Sequence, residues 1–221
     1  MTGDKAVVLV VDGVEENLDL LLETLGSDYT VQVALDGESA LAAAARSIPD
    51  LILLDVVMSG IDGFEVCRRM KESEITRDIP LIFLTALSDE TDETCGLGLG
   101  AVDYITKPFS PAVLRARVSN HIGLKRHKDN LEALVRLKTY DLERTKDATI
   151  ASLAFLAEHR DPETEGHIRR IRYYVRSMAK DLSSVYPDEL GPVAIELLSR
   201  SAQLHDIGKV GIPDGILNKP G

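Results

Sequence analysis

Residues 50–71 read DLILLDVVMSGIDGFEVCRRMK. The stretch 51–54 is unbroken aliphatic and ends in an acid, Asp55. An apolar run of this kind reads as a buried strand rather than a membrane span, for which it is far too short. The segment GFEVCRRMKES, residues 63–73, follows it with helical spacing. The repeating unit is therefore a strand, an acid at its end, and a helix.

The unit recurs on both sides. KAVVLVVD (5–12) is followed by EENLDLLLETL (15–25), and YTVQVAL (29–35) by GESALAAAARS (37–47). Downstream, IPLIFLTAL (79–87) leads into a helix-prone acidic stretch, and AVDYIT (101–106) into SPAVLRARVSN (110–120). Five strand–helix pairs in alternation predict an α/β fold, a doubly wound parallel sheet of five strands with helices on both faces. Ligands of such sheets lie at the carboxyl ends of the strands. Asp12 ends the first strand, Asp55 the third and Thr85 the fourth, and Lys107 follows the fifth.

From residue 111 the pattern changes. Residues 110–160 contain no proline after Pro111 and a single glycine, Gly123, and read as one or two long helices. Leu124, Leu131, Val135, Leu142 and Leu156 fall on a heptad seam, which Lys128, Lys138, Thr145, Thr149 and Ser152 interrupt. The pattern describes a weak coiled coil and a homodimer. HIRRIRYYVRSMAKDL (167–182) and PVAIELLSRSAQLHD (192–206) read as two further helices.

The totals narrow the function. The chain has 221 residues, is 44% hydrophobic and carries a net charge of -11. Residues 1–110 hold 21 acidic and 7 basic side chains, and residues 111–221 hold 15 and 18. An acidic front half repels nucleic acid, and the back half has no strong basic patch, so a DNA-binding output is disfavoured. An acidic front half can instead hold a divalent cation. No apolar run is long enough to span a bilayer, and the N-terminus has no basic region of a signal peptide. Two distant cysteines, Cys67 and Cys95, suit a reducing cytoplasm.

A carboxylate at a strand end, a lysine opposite it and a hydroxyl between them form a phosphoryl-transfer site. The carboxylate attacks phosphorus, the lysine and a bound cation neutralise charge on the equatorial oxygens, and the hydroxyl donates a hydrogen bond to one of them. Any one of these residues alone would more simply cap a helix. Four at the ends of four of the five strands favour chemistry.

On these motifs, residues 5–120 resemble the receiver domain of two-component response regulators. The resemblance implies a flavodoxin-like fold, with Asp55 in DLILLDVVMSGIDGFEVCRRMK as phospho-acceptor. It assigns the hydroxyl in IPLIFLTAL to Thr85, the lysine in DYITKPFSP to Lys107 before a cis bond at Pro108, and the aromatic switch to Tyr104. It also implies a sensor histidine kinase as partner. A magnesium ion would be held by Asp55, by the carbonyl of Val57 and, through water, by Asp12. The family has two acids after the first strand, whereas this chain has Asp12 and then Gly13. Loss of a charged ligand weakens magnesium binding, so a pseudo-receiver acting by dimerisation or partner binding is the alternative reading.

The end of the chain carries a second constellation. AEHRDPETEGHIRR (157–170) and LHDIGKVGIPDGILNKPG (204–221) resemble the start of an HD-GYP phosphodiesterase domain. Glu163, His167, His205 and Asp206 then correspond to metal ligands, and Lys209 to a phosphate contact. Iron or manganese would be the metal and cyclic di-GMP the substrate of the complete domain. The family's further ligands come later in sequence, so the chain reads as a truncated product or fragment, inactive by itself. The two resemblances together divide it into a receiver over 1–120, a helical linker over 121–147 and a partial all-α HD domain over 148–221.

Overall fold

A computed structural model describes residues 5–86, 96, 98–158, 166–217 and 219. The chain forms two compact units, residues 1–132 and 133–221. The first is built on strands β1 (Val7–Val11), β2 (Thr30–Ala34), β3 (Leu51–Asp55), β4 (Leu81–Thr85) and β5 (Asp103–Thr106). All pair in parallel in the order β2-β1-β3-β4-β5. This is the doubly wound sheet expected from the strand–helix alternation.

Helices α1 (Glu15–Leu25), α2 (Gly37–Ser47) and α3 (Gly63–Glu72) connect the first four strands. The helix expected after β4 falls mostly on residues 87–95 and 97, outside the described residues. Both faces of the sheet are covered. One cluster joins Leu9, Ile52, Leu54 and Phe83 to Ala40, Val66 and Met70, and the other joins Val8, Val10, Leu53 and Ile82 to Leu18, Leu21 and Leu114. Hence β3 and β4 are buried at every position, and alternation is absent from their sequences. Each leucine or isoleucine so buried contributes about 1.5–3 kcal/mol.

Local chemistry fixes the helix starts. Asp36 and Ser39 form a reciprocal capping box at α2, and Asp62 accepts from the Glu65 amide at α3. Helix α1 has no side-chain cap; exposed Glu15 and Glu16 sit in its first turn, where its dipole favours acids.

Helix α4 is continuous from Pro111 to Glu158, so the stretch 121–147 lies within a single helix. Its seam residues Leu124, Leu131, Val135, Leu142 and Leu156 are all exposed. The hydroxyls of Thr145, Thr149 and Ser152 donate to carbonyls four residues back, which satisfies them without a partner helix.

The second unit adds α5 (His167–Leu182), α6 (Pro192–Ser201), two 3-10 turns (Ala202–Leu204 and Ile207–Gly211) and α7 (Asp214–Leu217). Arg200 ties α6 to α4, pairing with Glu143 and with Asp147 at 3.2 Å, and it also pairs with Glu196 of its own helix at 3.1 Å. Arg172 reaches Glu196 at 3.1 Å from α5. Among its described residues this unit buries few apolar side chains, chiefly Ala154, Ala179 and Ile195, and exposes Tyr174, Met178, Val193 and Leu197.

Candidate phosphoryl-acceptor pocket and His–Asp pair

Parallel pairing brings the strand ends of the first unit together. The Asp12 amide donates to the Ala34 carbonyl at 3.3 Å, and the Val56 amide to Leu84 at 3.2 Å. The Lys107 amide donates to the Thr85 carbonyl at 2.7 Å, which sets the lysine beside β4. Its ammonium then lies 2.7 Å from Asp12 and 2.9 Å from Asp55. Asp12 is 0% exposed, Asp55 7% and Thr85 5%. Two carboxylates this deeply buried would repel one another, and the lysine between them offsets that charge.

Asp55 is the more available of the two acids. Among the described residues its other oxygen has only a long contact, 3.4 Å from the Val57 amide. Asp12 is more fully engaged. It accepts from the Val14 amide at 2.9 Å and, on both oxygens, from the Asn17 side-chain amide at 3.0 Å. Sequence reading missed Asn17. The available signal was an amide five residues past an acidic strand end, in the first turn of a helix, which is a common pattern in any protein.

Tyr104 lies half-buried on β5 and packs against the cluster that contains Phe83. The peptide bond between Lys107 and Pro108 is cis. Val57 is exposed beside Asp55, and Gly13 contributes no oxygen beyond its backbone. The donor set is two carboxylates and backbone carbonyls. These are hard oxygen ligands, so the residues present fit a magnesium ion, with fewer charges than three acids would supply.

In the second unit, His205 and Asp206 sit between the two 3-10 turns. The His205 Nδ1 lies 3.0 Å from the Ala202 carbonyl. A carbonyl can only accept, so Nδ1 carries the hydrogen. Nε2 then faces the Asp206 carboxylate at 3.3 Å. Lys209 donates to the same carboxylate at 2.8 Å and holds the Asp206 carboxyl below the usual range, with His205 adding to the effect. The His167 ring lies 5.6 Å from that of His205, centroid to centroid. Glu163 lies outside the described residues. Among the described residues no group of three or more His, Cys, Asp or Glu side chains could hold a metal ion. His167, His205 and Asp206 are brought together.

Comparison with known proteins bears on both sites. Residues 8–119 match the family described as "Response regulator receiver domain". The chain belongs to the response regulators. The likeness extends past the receiver. A Vibrio cholerae protein named "Probable cyclic di-GMP phosphodiesterase" is 42% identical over 98% of this chain and 51% of its own length. The "Cyclic di-GMP phosphodiesterase response regulator RpfG" of Xanthomonas campestris is 31% identical over 91% of this chain and 53% of its own. This response regulator is thus a receiver followed by a region homologous to cyclic di-GMP phosphodiesterases, and it spans about half the length of these curated relatives. The receiver domain of a Pseudomonas aeruginosa sensor histidine kinase covers 54% of the chain, with 98% of its own length matched. It is 32% identical with a TM-score of 0.51, and its structure has magnesium coordinated in the active-site cleft. No helix among the described residues of the response regulator is long and apolar enough to cross a membrane.

Proposed function

We propose that the receiver accepts a phosphoryl group on Asp55 and thereby controls a cyclic-di-GMP phosphodiesterase output, to which residues 148–221 belong. The observation that carries the reading is the Lys107 ammonium bridging Asp12 and Asp55 at 2.7 and 2.9 Å. A receiver domain implies a cognate histidine kinase. In the proposed step an Asp55 carboxylate oxygen attacks the phosphorus of the kinase phosphohistidine. The O–P bond forms as the N–P bond breaks, and the imidazole nitrogen keeps the electron pair. Lys107 and the Thr85 hydroxyl meet the equatorial oxygens, and Tyr104 follows Thr85 as the switch. Magnesium, when bound, supplies further positive charge against those oxygens.

Beryllofluoride with magnesium tests the reading. The full chain should take up the mimic, with signal changes at Asp55, Thr85 and Lys107. Gly13 favours the alternative, a pseudo-receiver that works without phosphorylation. No response to beryllofluoride at any magnesium concentration would establish that alternative.

The glycine itself gives a second expectation. A Cβ at Gly13 would meet nothing nearer than the Leu35 carbonyl oxygen, at 3.8 Å. Gly13→Asp should therefore fold, tighten magnesium about tenfold and lower stability in its absence through like-charge crowding. Calorimetric titration beside thermal unfolding in chelator checks both signs. Unchanged affinity would mean that another group completes the pocket.

For the output, His205 and Asp206 with His167 and Glu163 offer at most four side-chain ligands, and Lys209 a phosphate contact. A clamp of two or three iron or manganese ions needs more, since each ion keeps a position open. Residues 1–221 should show no turnover of cyclic di-GMP above background with added manganese or iron. Robust turnover abolished by His205→Ala would overturn this ligand assignment. The exposed seam of α4 supports a homodimer of modest affinity, and sedimentation equilibrium across concentrations decides it. A monomer throughout counts against dimerisation.

A further inference from the structure

We propose that Asn17 is a positioning residue that governs cation entry to the receiver pocket, competing with magnesium for the Asp12 carboxylate. The proposal rests on reading that pocket as a magnesium-assisted phosphoryl-acceptor site.

A carboxylate offers about four lone-pair directions. On Asp12 four contacts occupy them: Val14 amide, Lys107 ammonium, and the Asn17 amide on each oxygen. The side chain is also fully buried, so water does not reach it to exchange with these donors. A cation that uses Asp12 must displace one of them. The Val14 amide is backbone and is fixed by the chain. Lys107 is shared with Asp55 and balances both charges. Asn17 is a half-buried neutral side chain and can rotate towards solvent.

Helix capping does not account for its position. The cap residue of α1 is Val14, and no side chain caps that helix. The Asn17 amide reaches instead to an acid two residues before the cap. Nor, among the described residues next to Asp12 in sequence, does another acid relieve the pocket. Gly13 has no carboxylate, and Glu15 and Glu16 are exposed. With few charges available, the state of Asp12 decides how firmly the ion is held.

Asn17→Ala removes a pre-organised donor from both oxygens and leaves the less ordered competition of water. Magnesium should then bind about tenfold more tightly, the scale of one well-formed hydrogen bond to a charged group. A residue with a merely structural role would give the opposite sign, because a loosened pocket binds less.

The experiment is a magnesium chloride titration of the full 221-residue chain at constant ionic strength. Backbone amide signals of Asp12, Asp55 and Val57 report on the pocket itself. Wild type, Asn17→Ala and Gly13→Asp are compared. In wild type the side-chain amide signals of Asn17 should also move and lose protection as magnesium saturates, a measurement that needs no variant. Tighter binding by Asn17→Ala, with release of the wild-type Asn17 amide, supports the proposal. Equal or weaker binding by Asn17→Ala, or a wild-type Asn17 amide that stays protected at saturation, overturns it while the magnesium site stands. Silence at all three amides in all three proteins removes the magnesium reading of the pocket, and the proposal with it.

Discussion

Acetyl phosphate should label the wild-type chain and leave Asp55→Asn at background. The amide oxygen of asparagine is nearly isosteric with a carboxylate oxygen but is a far poorer nucleophile, so the bond to phosphorus does not form. The substitution also removes one of the two charges on Lys107, and the fold should persist because Asp12 still pairs with that lysine at 2.7 Å. Lys107→Ala makes an informative comparison. It keeps the nucleophile and deletes the cation beside it, so labelling should slow by about 10²–10³-fold rather than vanish. It also leaves Asp12 and Asp55 without their shared partner, so this variant, unlike Asp55→Asn, should lose stability. Quantitative phosphoprotein mass spectrometry reads both, and undiminished labelling of Asp55→Asn would remove Asp55 as the acceptor.

Gly63→Ala should be among the most disruptive single changes in the receiver. Gly63 is the first residue of α3, and its amide donates to the Val56 carbonyl at 2.9 Å. A Cβ there would come within 2.3 Å of the Asp55 carbonyl oxygen and 2.9 Å of the Val56 Cα. Both are backbone atoms at the end of β3, so no side chain can turn aside. Either α3 retreats or the Asp55 backbone moves. Overpacking of this kind costs about 1–3 kcal/mol, which lowers the unfolding midpoint by about 5–15 °C. Phosphoryl labelling should fall as well, since Asp55 would no longer be held against Lys107. Gly13→Ala is the control: its Cβ has space, so unfolding should shift by no more than about 0.5 kcal/mol. A Gly63→Ala protein that unfolds as wild type does would show that the helix start yields freely.

The sheet was legible because its signal is local. Continuous aliphatic runs such as 51–54, each closed by a polar residue and followed by helical spacing, state their own secondary structure and the burial of both faces. The ends of those runs therefore pointed to residues 12, 55, 85 and 107 before any pairing was known. His205 and Asp206 were legible for the same reason, being adjacent in the chain. What the sequence could not state is distance. Lys107 reaches Asp12 across 95 residues, and only the order β2-β1-β3-β4-β5 with the register of β4 and β5 closes that gap. Tertiary structure alone also decided how the two acids differ. Both end apolar strands, but the first turn of α1 folds the Asn17 amide onto Asp12, while Asp55 keeps an oxygen with only one long contact among the described residues. It likewise crowded the Gly63 Cα against backbone atoms at the end of β3, which the local sequence cannot reveal. Periodicity records which way a side chain faces, because burial is a property of each residue. The saturation of a carboxylate and the clearance around a glycine belong to atoms that meet only after the strands have paired.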